Sequence, residues 1–142
     1  MKEIKRVVSL KELDAFIEEI VDYLADCRVV LLKGDLASGK TTFVQKFSKH
    51  IGLSEDVTSP TFSKQQVYEG KLYHYDIYQD GVDGFIKQGL IEELDKDGYH
   101  MIEWADIKLA KILDGYFYNY VTIEIQKIDD KNREYKVSKC IH

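Results

Sequence analysis

The sequence predicts an α/β layer fold. Candidate strands alternate with candidate helices along the chain, the pattern of proteins that pack helices against a sheet. One candidate strand, residues 28–33 (RVVLLK), is dominated by an unbroken apolar run typical of a strand buried on both faces. The chain has 142 residues and shows no repeat, low-complexity segment or linker, so we expect a single domain over residues 1–142.

The first third of the chain is predicted to form a strand, a helix and a second strand. Residues 4–8 predict a short strand. Ser9 has the character of a helix N-cap, and Glu12 three residues later completes a capping box. Apolar residues then recur at helical spacing over residues 10–25, which predicts an amphipathic helix. The buried strand at 28–33 follows directly.

The rest of the chain continues the alternation. The run 67–78 predicts two short strands joined at Glu69-Gly70, and residues 83–96 carry a weaker helical pattern. Further predicted elements are a strand at 99–103, a helix at 106–113 closed by Asp114-Gly115, a strand at 120–128 with alternating apolar residues, and a terminal hairpin partner at 133–138.

Composition and charge exclude several classes of protein. Hydrophobic residues make up 44% of the chain and charged residues 32%, which is ordinary for a globular domain and unlike a disordered one. The formal net charge is -5, so extensive nucleic-acid binding through neutralisation of phosphates is not expected. Cys27 and Cys140 show no CxxC spacing and no cluster with histidine. Two such thiols argue against a disulfide framework or structural zinc and suit a reducing compartment.

No targeting or membrane segment is expected. The first ten residues, MKEIKRVVSL, lack the apolar core of a signal peptide. No apolar run approaches the length needed to span a bilayer.

A phosphate-binding motif follows the buried strand. Gly34, Gly39, Lys40 and Thr41 fit the pattern G-x-x-x-x-G-K-[ST], between that strand and a predicted helix at 40–51 that Gly52 would end. Glycines let backbone N–H groups approach phosphate oxygens, and the helix N-terminus adds partial positive charge. Lys40 is expected to reach the β- and γ-phosphates, and the Thr41 hydroxyl to bind Mg²⁺. The predicted nucleotide-binding residues are Asp35, Leu36, Ala37, Ser38, Gly39, Lys40, Thr41 and Thr42.

Two carboxylates end predicted strands. Asp76 ends KLYHYD, and Glu103 follows Met101 and Ile102. The carboxyl ends of strands in a doubly wound sheet are where a second metal ligand and a water-orienting group are found. Asp76 and Glu103 are therefore candidate catalytic residues, although a surface carboxylate or a helix N-cap explains either one equally well.

Other polar and aromatic residues have a structural reading beside a functional one. In TSPTF, residues 58–62, Pro60 either begins a strand or belongs to a switch in which Thr61 or Thr58 senses the γ-phosphate. Trp104 is interpreted first as core packing and second as an aromatic contact to nucleotide or partner. The histidines His74 and His100 are interpreted as packing residues. A basic cluster is interpreted as a solvated hairpin face: Lys127, Lys131, Arg133, Lys136 and Lys139.

Two familiar nucleotide-binding classes fit poorly. The chain has no NKxD-like guanine motif, and its DxxG letters, residues 95–98, precede a strand instead of following one. A small-molecule kinase usually clamps phosphorylated ligands with several arginines, whereas this chain has only Arg6, Arg28 and Arg133.

Four segments together resemble a known family. GDLASGKTTF, SPTF, HYDIYQ and IEWAD, in this order and at these spacings, are similar to the bacterial TsaE (YjeE) family of small ATPases in tRNA threonylcarbamoyladenosine biosynthesis. The likeness extends from about Val29 to Arg133. It implies a three-layer P-loop NTPase-like fold with a central mixed, mainly parallel sheet flanked by helices. It also implies a cytoplasmic protein, ATP and Mg²⁺ as ligands, and a TsaB-TsaD-type complex as partner, with tRNA met only through that complex.

The resemblance also implies roles for individual residues. Lys40 would bind phosphate, Thr41 and Glu103 would hold Mg²⁺, and Asp76 would orient water. Thr61 would be the switch threonine, and Trp104 belongs to the same signature.

The sequence departs from the family pattern in two places. Ala37 and Ser38 replace the family's Gly-Ala in the middle of the loop, and Gln79 replaces the arginine that usually follows D-x-Y. The first change keeps small residues in the loop, whereas the second bears on the partner contact. Two alternatives to an ATPase stay open: a nucleotide-gated binding module in which hydrolysis is incidental, and a small-metabolite phosphotransferase.

Overall fold

The computed structural model describes residues 3–35, 38–58, 65–79 and 81–142. Its helices, after a 3₁₀ turn at Leu10–Glu12, are α1 (Leu13–Leu24), α2 (Lys40–His50), α3 (Gly81–Lys87), α4 (Leu90–Glu93) and α5 (Ile107–Gly115). Its strands are β1 (Glu3–Ser9), β2 (Val29–Lys33), β3 (Gln65–Tyr68), β4 (Leu72–Asp76), β5 (Tyr99–Glu103), β6 (Tyr120–Lys127) and β7 (Asn132–Cys140).

Within this described part of the chain, the strands form one seven-stranded sheet in the order β1-β7-β6-β2-β5-β4-β3. The four central strands β6, β2, β5 and β4 are parallel to one another. The outer strands pair antiparallel: β7 with β6, the edge strand β1 with β7, and the other edge strand, β3, with β4. The expected mixed sheet is confirmed, with its parallel part confined to the centre.

Both faces of the sheet are covered by helices, which gives the expected three layers. In β2, Val30 and Leu32 pack into the apolar core beneath α1 and α2. Val29 and Leu31 point the other way, into the core beneath α3, α4 and α5. All four are buried, which explains why β2 reads as a continuous apolar run. Burial of side chains of this size contributes about 1.5–3 kcal/mol each.

The local signals read from the sequence correspond to particular contacts. The Glu12 carboxylate accepts a hydrogen bond of 2.9 Å from the Ser9 backbone N–H, as the capping box predicts. Glu69 and Gly70 both adopt positive φ, 53° and 66°, in the turn that joins β3 to β4.

The helix predicted over residues 83–96 is wrong as a single element. The weak helical pattern at 83–96 is two short helices, α3 and α4, because Gly89 lies between them in the left-handed conformation with φ 75°. A left-handed residue cannot continue an α-helix, so the chain turns there and starts again.

The helices are short. The longest within the described residues is α1 with 12 residues, whereas a bilayer needs about 20. None of the described helices is long and apolar enough to cross a membrane.

Candidate functional site

The loop after β2 lies where the parallel strands end. β2 pairs with β5, and Leu32 stands opposite Glu103 in the register. β5 pairs in turn with β4, and Asp76 stands opposite Glu103. The two predicted carboxylates are therefore neighbours at the carboxyl edge of the sheet, beside the start of α2.

The loop requires glycine at its first position. A Cβ on Gly34 would lie 2.4 Å from the Ser38 hydroxyl oxygen and 2.6 Å from the Ile125 carbonyl oxygen. At the other end, Gly39 has φ 112° and leads directly into the first turn of α2. Gly34 and Ser38 thus approach each other closely, and Gly39 places the N-terminus of α2 at the sheet edge. Leu36 and Ala37, two of the predicted loop residues, lie outside the described residues.

Lys40 is held inside the loop. It is 5% exposed, and its ammonium group donates hydrogen bonds to the carbonyls of Gly34 at 2.6 Å and Asp35 at 3.0 Å. Burial lowers the pKa of Lys40, while the charges of Glu103, Asp35 and Asp76 act in the opposite direction. The ammonium group is therefore buried next to acceptors that an anionic ligand could replace.

Trp104 covers Lys40 from one side. The Lys40 nitrogen lies 3.8 Å from the centroid of the indole ring, at the distance of a cation–π contact. Trp104 also packs against the Tyr78 ring, 4.6 Å between centroids, and on the core beneath α3 to α5. Its backbone has φ 67°, which is uncommon for a residue with a side chain. Trp104 therefore packs on the core, as first interpreted, and also contacts Lys40, while its contact with a nucleotide or partner stays a prediction.

Glu103 is a carboxylate almost removed from solvent, with 3% exposure. The Thr41 hydroxyl donates to it, at 2.9 Å from Oε2 and 3.2 Å from Oε1. The Nε2 atom of His74, a fully buried side chain, is hydrogen-bonded to the same carboxylate. Glu103 is therefore oriented from two sides, by α2 and by β4.

Sequence reasoning missed His74, which it interpreted as a packing residue. A signal was available, because residues two apart on a strand point to the same face. The His74 side chain therefore lies on the same face of β4 as the candidate catalytic residue Asp76. It cannot pack on the opposite face of the strand. The interpretation of His100 as a packing residue is confirmed: it stacks on Tyr73, and its ring nitrogens pair with the Tyr75 hydroxyl and the Lys96 carbonyl.

Asp76 is half-buried at the end of β4. One of its carboxylate oxygens accepts a 2.9 Å hydrogen bond from the Tyr78 backbone N–H, which fixes the side chain at the sheet edge. Of the candidate switch segment, the structure describes Thr58, whose backbone N–H and C=O both pair with the Tyr68 hydroxyl. Thr61 and Pro60 lie outside the described residues. Gln79 is exposed in the turn after β4.

Arg133 also belongs to the site, so its assignment to a solvated hairpin face is wrong. Its Nε donates a 2.9 Å hydrogen bond to the Ser38 carbonyl, 95 residues away in sequence. Sequence reasoning could not find this contact, because it depends on how the β6–β7 hairpin sits beside the loop. Lys139 departs from that assignment too: its ammonium group pairs with Asp26 and lies over the Tyr23 ring.

A pocket of about 200 Å³ opens between the loop, β1 and β7. Val8, Leu13 and Tyr135 are among its apolar lining residues, and its polar lining residues include Thr42, Asp130, Lys131 and Arg133. The pocket adjoins Gly39, so a ligand held by the loop could extend into it.

The donor set suits a magnesium-bound phosphate. A threonine hydroxyl and a carboxylate are hard oxygen ligands of the kind that Mg²⁺ prefers. The Ser38 hydroxyl is buried and has no partner within the described part of the chain, so it is available to an anion. The first turn of α2 presents its backbone N–H groups at the same place.

A strand, a tight glycine loop and a helix carrying Lys-Thr define the P-loop class of α/β proteins. Within that class the chain belongs to the TsaE family. The family model described as "Threonylcarbamoyl adenosine biosynthesis protein TsaE" matches residues 7–135.

Individual relatives agree with the family match. The chain is similar to the tRNA threonylcarbamoyladenosine biosynthesis protein TsaE of Treponema pallidum, with 38% identity over 81% of this chain and 84% of that protein. It is 32% identical to TsaE of Aquifex aeolicus over 96% and 98% of the two chains. Among solved structures, Bacillus subtilis YdiB superposes with a TM-score of 0.68 at 25% identity, covering 99% of this chain and 87% of YdiB.

Proposed function

We propose that this protein binds ATP with Mg²⁺ at the loop between β2 and α2 and hydrolyses it. The observation that carries the proposal is the pairing of Thr41 with Glu103 at 2.9 Å, next to a glycine loop that buries Lys40. A hydroxyl and a carboxylate brought together from residues 62 apart in sequence form a pair of metal ligands at the place where phosphate would bind.

Each residue then has a defined task. Lys40 and the backbone N–H groups at the start of α2 bind the phosphate oxygens. Thr41 and Glu103 hold Mg²⁺, which when bound neutralises charge on the phosphates. His74 orients Glu103 through its Nε2 atom. Asp76, next to Glu103 in the register, is placed to orient the attacking water.

The base end of the nucleotide fits the pocket between the loop, β1 and β7. Val8 and Tyr135 offer apolar surface of the kind that a purine ring packs against, and Arg133 and Thr42 offer polar contacts at the rim. This assignment gives the nucleotide a continuous path from Glu103, past Gly39, to the side of the sheet that carries β7.

We further propose that the ATPase serves tRNA threonylcarbamoyladenosine biosynthesis, acting with a TsaB-TsaD-type complex. Family membership and the relatives' names support this role. The formal net charge of -5 favours contact with tRNA through the complex and not through this chain.

The test is steady-state ATP hydrolysis by the protein alone and with a purified TsaB-TsaD pair. We expect slow turnover alone, since a P-loop protein without an arginine finger is intrinsically slow, and clear stimulation by the pair. Lys40→Ala should abolish turnover in both conditions. Lys46→Ala, on the same helix but partly exposed, is the matched control and should behave as the wild type. Binding of ATP with no turnover in either condition would overturn the hydrolytic role.

A nucleotide-gated module is the second candidate. It is favoured by the hydrogen bond from the Tyr78 N–H to Asp76, which gives this carboxylate a structural task in the turn after β4. Asp76→Asn separates the two candidates. If this variant binds ATP, does not cleave it and still supports tRNA modification by the complex, occupancy and not hydrolysis drives the pathway.

A further inference from the structure

Three metal-ligating side chains meet at the edge of the sheet opposite the loop. Asp114 comes from the last turn of α5, Cys140 ends β7, and His142 follows two residues later. β6 begins nearby, with Tyr120 opposite both Val29 and Cys140 in the register. Since Val29 begins β2 and the loop leaves its other end, this cluster is separate from the proposed nucleotide site.

The ligand atoms of the three side chains converge on one point. The Cys140 sulfur lies 3.5 Å from Oδ1 of Asp114 and 3.8 Å from Nε2 of His142, and Nε2 lies 2.9 Å from Oδ1. An ion can contact all three atoms from about 2 Å, close to the usual ligand distances of Zn²⁺. The side chains of His142 and Asp114 are 24% and 43% exposed, so an ion can reach them from solvent.

We propose that Asp114, Cys140 and His142 form a Zn²⁺ site that joins the end of β7 to the corner between α5 and β6. Sulfur, imidazole nitrogen and carboxylate oxygen together are a zinc-type donor set, whereas Mg²⁺ and Ca²⁺ select oxygen alone. Three protein ligands leave a fourth position for water. On binding, the Cys140 thiol loses its proton to solvent and coordinates as thiolate, while His142 coordinates through neutral Nε2.

The surroundings hold two of the three ligands in place. The Tyr120 hydroxyl donates a 2.9 Å hydrogen bond to Oδ1 of Asp114. The backbone N–H of His142 donates to the Asn119 side chain at 2.8 Å, and the Phe117 ring meets the imidazole edge-on with 6.1 Å between centroids. Such outer contacts orient metal ligands and contribute to affinity.

The sequence argument against zinc relied on the absence of CxxC spacing and of a Cys/His cluster. Cys140 and His142 are separated by a single residue. The third ligand is Asp114, 26 residues before Cys140. The triad forms only because β6 and β7 return the chain to the end of α5.

The test is titration of the untagged full chain with Co²⁺, a spectroscopic substitute for Zn²⁺, under phosphine reductant. We expect one Co²⁺ per chain with a thiolate-to-cobalt charge-transfer absorption, which Zn²⁺ abolishes by displacement. Cys140→Ser should lose the absorption, and Tyr120→Phe should weaken binding by roughly 10-fold. Cys27→Ala is the matched control, because it removes the other thiol, and should keep the absorption.

Two further measurements test whether the ion is bound at this site and not at the proposed Mg²⁺ site. Glu103→Gln should keep the absorption, since the proposed Mg²⁺ site has no sulfur ligand. Zn²⁺ should raise the thermal unfolding temperature of the wild type and of Cys27→Ala but not of His142→Ala. The absence of a thiolate band, or a band of full strength in Cys140→Ser, would overturn the proposal.

Discussion

At the scale of single residues, the carboxylate of Glu103 is costly to bury unless its charge is compensated. A carboxylate with 3% exposure loses most of its hydration, and an unpaired charge in that position would be costly. Thr41 and His74 each supply a hydrogen bond to it, and the Lys40 ammonium lies close enough to feel its charge. The same contacts that make burial tolerable also fix the direction in which the carboxylate can bind a metal.

His74→Ala tests whether orientation of Glu103 matters. Removing the imidazole frees one side of the carboxylate, so we expect the Mg²⁺ concentration for half-maximal turnover to rise by roughly 10- to 100-fold. ATP affinity without Mg²⁺ should change little, because the hydrogen bond that His74 makes is to Glu103. The measurement is ATP hydrolysis against Mg²⁺ concentration, with exposed His50→Ala as control. An unchanged Mg²⁺ dependence would show that His74 is only a packing residue.

Residues with a local signal could be found from the sequence, and residues defined by packing could not. Lys40 and Thr41 stand in a contiguous motif, which pointed to them directly. Glu103 ends a recognisable strand, which made it a candidate beside the alternatives of a surface carboxylate or a helix N-cap, and its Mg²⁺ role came only from the family resemblance. His74 lies in the middle of β4, two residues before Asp76 and on the same face, but its partner Glu103 is 29 residues away. The shared face was a signal in the sequence, whereas the contact with Glu103 became visible only when β4 and β5 were placed side by side.

At the scale of elements, the β6–β7 hairpin takes part in the site from outside the parallel core. Arg133, near the start of β7, reaches the Ser38 carbonyl and lines the pocket beside Gly39. Tyr135, two residues on, points to the same face and contacts the rings of Phe16 and Phe43. The hairpin thus connects the loop to the core beneath α1 and α2.

Arg133→Ala tests this connection. We expect weaker ATP binding, by roughly 5- to 10-fold for the loss of one hydrogen bond that steadies the loop, with little change in the fold. The measurement is nucleotide affinity by calorimetry. Lys136→Ala, in the same strand but only paired at 3.9 Å with exposed Glu3, should bind ATP as the wild type does. Equal affinity in the two variants would remove Arg133 from the site.

The elements themselves were largely predictable, and their arrangement was not. β5 was predicted at its observed bounds, and β2, a compact apolar run, to within one residue. The pairing of β1 with β7 joins the two ends of the chain, for example Glu3 with Ser138, and no local pattern encodes such a contact. The division between α3 and α4 depends on the backbone conformation of Gly89, which the helical spacing around it concealed.

At the scale of the whole molecule, one of the two cores holds a buried histidine. The core beneath α3 to α5 surrounds His100, which is 1% exposed and stacked on Tyr73. Burial lowers the pKa of His100, although the hydrogen bond to the Lys96 carbonyl acts in the opposite direction. The neutral imidazole is therefore the form that the folded protein favours.

This shift predicts how stability depends on pH. The folded pKa of His100 lies below its unfolded value of about 6.5, so the unfolded chain takes up the proton first as pH falls. The contribution of His100 to stability is complete above about pH 6.5 and is lost progressively below it. His100→Gln should flatten the pH dependence of the free energy of unfolding, measured with urea at about pH 7.5 and about pH 5.5. Exposed His50→Gln should keep the wild-type slope, and an unchanged slope in His100→Gln would contradict the assignment.

Glu103 and Thr41 are the proposed Mg²⁺ ligands of an ATPase. The most direct measurement is ATP binding and hydrolysis by Glu103→Gln across a Mg²⁺ titration, with exposed Glu92→Gln as the control. We predict that Glu103→Gln binds ATP within a few-fold of the wild type in the absence of Mg²⁺. Its Mg²⁺-dependent turnover should fall by roughly 100-fold or more. Turnover of Glu103→Gln with the wild-type Mg²⁺ dependence would show that Glu103 does not hold the metal.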